Sequence, residues 1–486
     1  VNLGGAMMKQ THDGLLGILE LEESRYGEML RKGGNVINTQ LKQLPKDAER
    51  IPDEILFNMN DSHGLAPDMA VNLARNAGWS SVSVRTGFAA EMAERHAKMA
   101  KKAAQSVEAK PLVERVPSLP STQLLYYDDV QQQEFDASVL ACLPLIGDDL
   151  PEGATHGIIL DKSCFYPEGG GQEGDHGALK TDSNQCNVID TRKVGDHVLH
   201  LVDGTFETGD LVHGSIDWKR RKQLMDHHTA VHIVGGAARQ VLGPHIYQAG
   251  ANKSTEMARL DITHFNRLTR GDLDAIEALA NDVLVQVQRT EKTELNRKDA
   301  DKKYGFDLYQ GGAPKGSSIR ILRIADHDIQ ACGGTHHDEP GQIGSIRIVR
   351  SSAVQDGVER LHIVAGQAAL KYASDQDQIL RQISEMYGVP NAELPRTSER
   401  FYNEWKDQRK RIESLEAEIV RLRTSGGGSD SQELDGVRIV IMEAHGNLKK
   451  MTKMLKELTL DANQPTLAVL GSKEGGGKLM IAVTEN

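Results

Sequence analysis

Leu211-Val212-His213-Gly214-Ser215-Ile216-Asp217-Trp218-Lys219-Arg220-Arg221-Lys222-Gln223-Leu224-Met225-Asp226-His227-His228-Thr229-Ala230-Val231-His232 is where the character of the chain changes. Before it, from Leu124 to Trp218, come short apolar runs bounded by Gly, Asp or Pro. They are Val139–Ala141, Gly157–Leu160, Val198–Leu201 and Leu211–Ile216. Such runs read as strands and predict a small β-barrel over residues 123–218. From Lys219 to about residue 245 the pattern is helical, and a second helical pattern covers 270–290. Strands return at Ile319–Ile321, Ile346–Ile348 and Leu361–Val364, so residues 219–368 read as an α+β domain.

Within the opening stretch, His228 and His232 lie four apart, which puts both imidazoles on one face of a helix. About a hundred residues later comes Cys332-Gly333-Gly334-Thr335-His336, whose glycines permit a tight turn. One thiolate and three imidazoles match a tetrahedral zinc site. Alone, the histidine pair reads as a surface pair and CGGTH as a turn. Together they are far more specific, because the cysteines Cys142, Cys164, Cys186 and Cys332 are few and widely spaced. Thr229 stands where the HExxH motif of a metalloprotease carries its general-base Glu, which argues against a peptidase. Zinc can polarise a carbonyl or lower the pKa of a bound water. Four protein ligands close the tetrahedron, as in structural sites. Catalysis would then need five-coordination, loss of a ligand or a water outside the metal shell, and the sequence leaves all three open.

Working outward, residues 1–110 read as mostly helical. Pro111, Pro117 and Pro120 mark a linker over 111–122. In 369–424, Phe401, Trp405, Ile412, Leu415, Ile419 and Leu422 fall on heptad a and d positions, with Gln408 as the polar exception. That predicts a coiled coil or helical hairpin, with a lone amphipathic helix as the alternative. Residues 425–435 read as a flexible linker and 436–486 as a partial β-α-β-β globular domain. The whole is expected to be a multidomain α+β protein, in keeping with 486 residues.

Hydrophobic residues make up 39%, enough to build cores. No apolar run approaches the roughly 20 residues that cross a bilayer, so no membrane is expected. Sparse cysteines fit a reducing cytoplasm. The start, Val1-Asn2-Leu3, has no initiator Met and no signal pattern, which reads as a fragment. The net charge of -12 excludes a polycation, but nucleic-acid binding rests on local patches. Such patches occur at Arg95–Lys102, Lys219–Lys222 and Arg297–Lys303, where a solvated face is the ordinary reading. Gly169-Gly170-Gly171-Gln172 is not a P-loop, since no Gly-Lys-Ser/Thr follows.

Asp217 to Arg221, with Leu224-Met225 and His228 to His232, resembles the start of the editing domain shared by alanine–tRNA ligases and free-standing alanyl editing proteins. Phe165 to Gln172 with Asp175, Gln248-Ala249-Gly250, Arg259 to His264 and the CGGTH motif match further stretches of it. Tyr304 to Gly312 and Gly357 to Arg360 look like the archaeal-type branch. Glu22 to Tyr26 and Asp61 to Gly64 resemble the ligase's tRNA-recognition helices. The coiled segment and tail look like its C-terminal domain, which aids tRNA binding and dimerisation. No stretch resembles the Arg-containing ATP motifs of class II, so the ATP-using domain is expected to be absent and the chain not to activate alanine.

The resemblance implies that His228, His232, Cys332 and His336 bind zinc and that Gln248 and Thr229 act near the substrate amino acid. It also implies contacts to the tRNA(Ala) acceptor end from Gly169, Gly170, Gly171, Gln172 and Arg221. Asp61 would read the acceptor stem, though it could equally cap a helix. His337 departs from related sequences, which often carry a cysteine there. The implied activity is hydrolysis of Ser-tRNA(Ala) or Gly-tRNA(Ala), with a homodimer formed through the C-terminal region. The alternative is a tRNA-binding fragment without hydrolytic activity.

Overall fold

The protein is described by a computed structural model that covers residues 3–484. Residues 64, 89–90, 93–111, 148–149, 288, 306–307, 311, 313–315, 426–430, 444–447, 461–463 and 474–476 lie outside the described set. The chain divides into two compact units, Val1–Tyr372 and Ala373–Asn486.

The first unit opens with helices α1 (Leu3–Gln40), α2 (Asp53–His63) and α3 (Pro67–Asn76). They enclose a core that includes Ile37, Leu56, Met59, Val71 and Phe88. The basic stretch 95–102 lies outside the described residues. The described part of the expected linker, 112–122, lies against the barrel that follows. Val113 is buried with Ala141, Ile159 and Leu199, and the Thr122 hydroxyl donates to the Leu160 carbonyl.

Next come β1 (Gln123–Leu124), β2 (Glu134–Pro144), β3 (His156–Leu160), β4 (Lys162–Ser163), β5 (Gly177–Lys180), β6 (Gln185–Val194), β7 (His197–Val202) and β8 (Leu211–Ile216). A closed barrel forms in the order β2-β3-β7-β6-β5-β8. Inside and outside residues alternate along β2, as the two-residue period of a strand requires. Phe135, Phe165, Leu179 and Val202 fill the interior. His200 also sits there, fully buried, with its ring nitrogens on Ser163 Oγ and the Ile158 carbonyl.

Asp217 then caps α4 (Trp218–Leu242) by accepting from the Arg220 amide. From Gln223 to Ala238 this helix is buried on nearly every side, so it runs through the interior. After it come β9 (Gln248–Lys253), β10 (Ala258–Thr263), α5 (Arg270–Gln286), β11 (Glu291–Asn296), α6 (Arg297–Tyr304), β12 (Ser318–Ile324), β13 (Asp328–Ala331), β14 (Ile346–Gln355) and β15 (Val358–Ala365). Strands order as β14-β15-β10-β9 in one sheet and β11-β12-β13 in another. Ile233, Val234, Ala237, Leu260, Ile276 and Ile363 share the core between α4, α5 and the larger sheet.

The second unit contains most of α7 (Gln367–Tyr387), then α8 (Leu394–Ser425), β16 (Ser431–Leu434), β17 (Val437–Glu443), α9 (Leu448–Leu460), β18 (Thr466–Ser472) and β19 (Lys478–Val483). Its sheet runs β16-β17-β18-β19, with β17 and β18 parallel and linked through α9. Ser431–Leu434, expected within a linker, pairs with β17 as an edge strand. Among the described residues, no helix is long and apolar enough to cross a membrane.

Candidate metal centre and its cleft

The Cys332 turn meets α4 because Gly334 has no side chain. A Cβ at Gly334 would stand 2.1 Å from the His228 ring, so only glycine permits this approach. Arg320 of β12 pins the turn by donating to the Cys332 carbonyl at 3.2 Å and the Gly334 carbonyl at 2.9 Å. As a result, His228, His232, Cys332 and His336 each present one ligand atom, all within 4.8 Å of one another. Cys332 Sγ lies 3.4 Å from His228 Nε2 and 3.2 Å from His336 Nε2.

Each imidazole is held from behind through its other nitrogen. His228 Nδ1 lies 2.7 Å from Gln172 Oε1, His232 Nδ1 3.1 Å from Asp328 Oδ2, and His336 Nδ1 3.3 Å from Thr229 Oγ. These partners fix the ring orientation and place the proton on Nδ1, leaving Nε2 free to bind a metal. Metal-ligating histidines characteristically have this support. The donor set and its support therefore fit zinc. Burial alone would raise the Cys332 thiol, but the three surrounding imidazoles outweigh it and hold the thiol well below its ordinary value. A thiol so biased toward thiolate is the form that ligates metal.

The cluster opens onto a cleft of about 650 Å³. One wall is Tyr126, Tyr127 and Tyr166, with the first pair of rings 4.6 Å apart and Tyr126 and Tyr166 5.4 Å apart. Gly169, Gly170 and Gly171 form another edge. Gly171 has φ +73°, and a Cβ there would strike the Ala251 carbonyl at 2.1 Å, so the loop lies directly on β9. Gln248 lines the far side, its amide N–H donating to Gln310 Oε1 at 2.9 Å.

The other residues singled out from sequence are placed differently. Gln172, expected at the tRNA acceptor end, is fully buried and oriented toward His228 and Thr335. Arg221 is also fully buried, donating to Asp175 and the Cys164 carbonyl. No part of Arg221, expected at the tRNA acceptor end, reaches the surface in this structure. Its neighbours Arg220 and Lys222 pair with Glu173 and Asp226. Thr229 is buried behind His336, and its hydroxyl also accepts from the His337 amide. His337 lies between Asp226 and Gln342, apart from the ligand cluster. Asp61 falls in α2, and its side chain lies outside the described residues. Sequence reasoning missed Asp328, Arg320 and Lys253. Their types and spacing are ordinary for strands, and no local pattern marks them.

Residues 319–362, from β12 into β15 and including the Cys332 turn, match the family model described as the threonyl and alanyl tRNA synthetase second additional domain. Residues 5–220 match the model described as tRNA synthetases class II (A). Among curated proteins, an alanine–tRNA ligase of Pyrococcus furiosus is 39% identical over 474 residues, covering 96% of this chain and 50% of the relative. That of Halobacterium salinarum is 38% identical over 477 residues, with coverage of 98% and 50%. That of Methanobrevibacter smithii is 35% identical over 484 residues, with coverage of 99% and 52%.

The chain belongs to the alanine–tRNA ligase family.

It spans about half the length of the curated relatives it matches. The expectation that the ATP-using domain is absent is corrected, because residues 5–220, from α1 through β8 to the start of α4, match the class II model.

Proposed function

We propose that this member of the alanine–tRNA ligase family hydrolyses serine or glycine from wrongly charged tRNA(Ala) in the cleft beside the zinc cluster. The observation that carries this reading is the cluster itself. Four ligand atoms supported from behind open onto a cleft that also contains Gln248 and a tyrosine wall. Zinc bound there would supply a Lewis acid for the ester carbonyl or acidify a water.

The chain's own residues supply recognition. The partly exposed ring of Tyr127 offers a stacking face for the terminal base, a contact that tolerates any base. Lys193, exposed at the rim, can meet a backbone phosphate. The Gly169–Gly171 backbone allows close approach of the ribose. Gln248 offers both a donor and an acceptor, suited to a serine hydroxyl. Such a second site is needed because an alanine pocket cannot easily reject glycine or serine.

Purified chain should release serine from seryl-tRNA(Ala), and a chelator should stop it. Gln248→His should slow release about a hundred- to a thousandfold while zinc content stays the same. Unchanged release by that variant makes Gln248 a bystander. Zinc bound without any hydrolysis by the wild type would instead support the tRNA-binding reading. Zinc content unaltered in Cys332→Ala, by elemental analysis, would remove the ligand assignment.

The C-terminal region is read as dimer-forming. Phe401, Trp405, Ile412, Leu415, Ile419 and Leu422 are between 40% and 59% exposed along α8. Half-exposed apolar heptad positions are what a second helix covers.

A further inference from the structure

We propose that Lys253 is the cleft's oxyanion-binding group. It would hold its ammonium where the ester carbonyl oxygen gains negative charge during hydrolysis. The inference rests on the hydrolase reading above.

Lysine is almost never fully buried unless it is paired. Lys253, the last residue of β9, is only 2% exposed. Its ammonium makes one hydrogen bond among the described residues, to the Gly170 carbonyl at 2.9 Å. Among the described residues no carboxylate pairs with it. Burial pushes its pKa down to about 8, against which the nearby Cys332 thiolate favours the charged form. Its backbone is clamped on both sides, with its N–H donating to the Gly171 carbonyl and its carbonyl accepting from the Glu173 N–H. The result is an immobile, dehydrated cation with donor capacity to spare, lining the same cleft as His228, Cys332 and Gln248.

Isolated charges are costly to bury, so such a group is retained where an anion forms against it. The depth of the site selects which anion. A phosphate is bulky and strongly hydrated, and Lys193 at the rim is placed for one. Lys253 is instead nearly fully buried, in the part of the cleft lined by His228 and Cys332, where the ester would lie. In the reaction, a water oxygen bonds to the carbonyl carbon and the π pair moves onto the carbonyl oxygen, facing Lys253. The ester C–O bond then breaks, one water proton ends on the ribose oxygen, and the released carboxyl group gives up the other to solvent. Lys253 keeps its own protons throughout.

The test uses the whole chain loaded with zinc, with Lys253→Met as the variant. The probes are two 3′-seryl adenosine analogues, one with a neutral amide in place of the ester and one with a tetrahedral anionic phosphonate. We expect phosphonate affinity to fall about a hundredfold and amide affinity to change little. For seryl-tRNA, kcat should fall about a hundred- to a thousandfold with KM nearly constant. Thermal stability should hold or rise, because removing a buried unpaired charge relieves a cost. Equal loss on both analogues, or a lowered melting temperature, would show Lys253 to be structural and overturn the proposal. A raised KM with unchanged kcat would make it a phosphate clamp and overturn it too. If the Met variant fails to fold, Lys253→Gln takes its place. If the wild type binds both analogues but hydrolyses nothing, the hydrolase reading fails, while the comparison between analogues still decides whether Lys253 binds an anion.

Discussion

Behind the four candidate ligands stand residues that hold the imidazoles in place, and their effect can be measured separately. Gln172 reaches out of the barrel to hold His228, while Asp328 holds His232 from within β13. Removing such a support typically costs ten- to a hundredfold in metal affinity. Gln172→Ala should show a loss of that size in competition against a chromogenic chelator, while the four ligands remain. His200 gives a second residue-scale prediction. Its burial in the barrel pushes its pKa down to about 4 from the ordinary 6.5. Below the ordinary value the unfolded chain takes up a proton that the folded barrel refuses. Its contribution is therefore complete above pH 6.5 and is lost as pH falls toward 4. The loss should reach about 3 kcal/mol by the acid end. Denaturant titrations from pH 7 to 4 should show a drop that His200→Asn reduces, and parallel curves for the two proteins would exclude this origin. The gathering of His228, His232, Cys332 and His336 was legible in sequence because sparse Cys and His at such spacings stand out from the rest of the chain. Asp328 was not, because a carboxylate on a strand is unremarkable until the fold sets an imidazole against it.

At the scale of elements, strands whose apolar residues cluster or alternate between turn residues, such as β3, β7 and β8, could be read directly. β6 could not, because Gln185–Val194 alternates polar outward residues with a few inward ones and contains Asn187, Asp190 and Lys193. β9 escaped for a similar reason: Gln-Ala-Gly-Ala-Asn-Lys has no apolar bulk, and only pairing with β10 makes it a strand. The long helix α4 was evident, but not its passage through the interior, because the buried Arg221, Gln223, Asp226 and His227 read as solvent-facing. For α8, the apolar stripe was seen in sequence and stays 40–59% exposed among the described residues. Changing Ile412 and Leu415 to Lys should convert a dimer to a monomer in light scattering without altering zinc content. A wild-type monomer at high concentration would discard the dimer reading.

Across the molecule, the metal centre gathers the barrel through Gln172, the interior helix through His228 and His232, and the smaller sheet through Cys332. Metal removal should therefore act well beyond the cleft. With a chelator, the first unit's melting temperature should fall and amide exchange should quicken in the 169–173 loop, while the 431–483 sheet is unaffected. Uniform exchange across both units would refute that partition. The same arrangement also sets an order of events during synthesis. His228 and His232 leave the ribosome about a hundred residues before Cys332, which at ordinary elongation rates is roughly 5 to 20 s earlier. By then the whole barrel has emerged, with Gln172 in its loop. A nascent chain thus presents a half-site that would hold an ion only weakly until the Cys332–His336 turn arrives, so metal capture would precede β14 and β15, which complete the larger sheet.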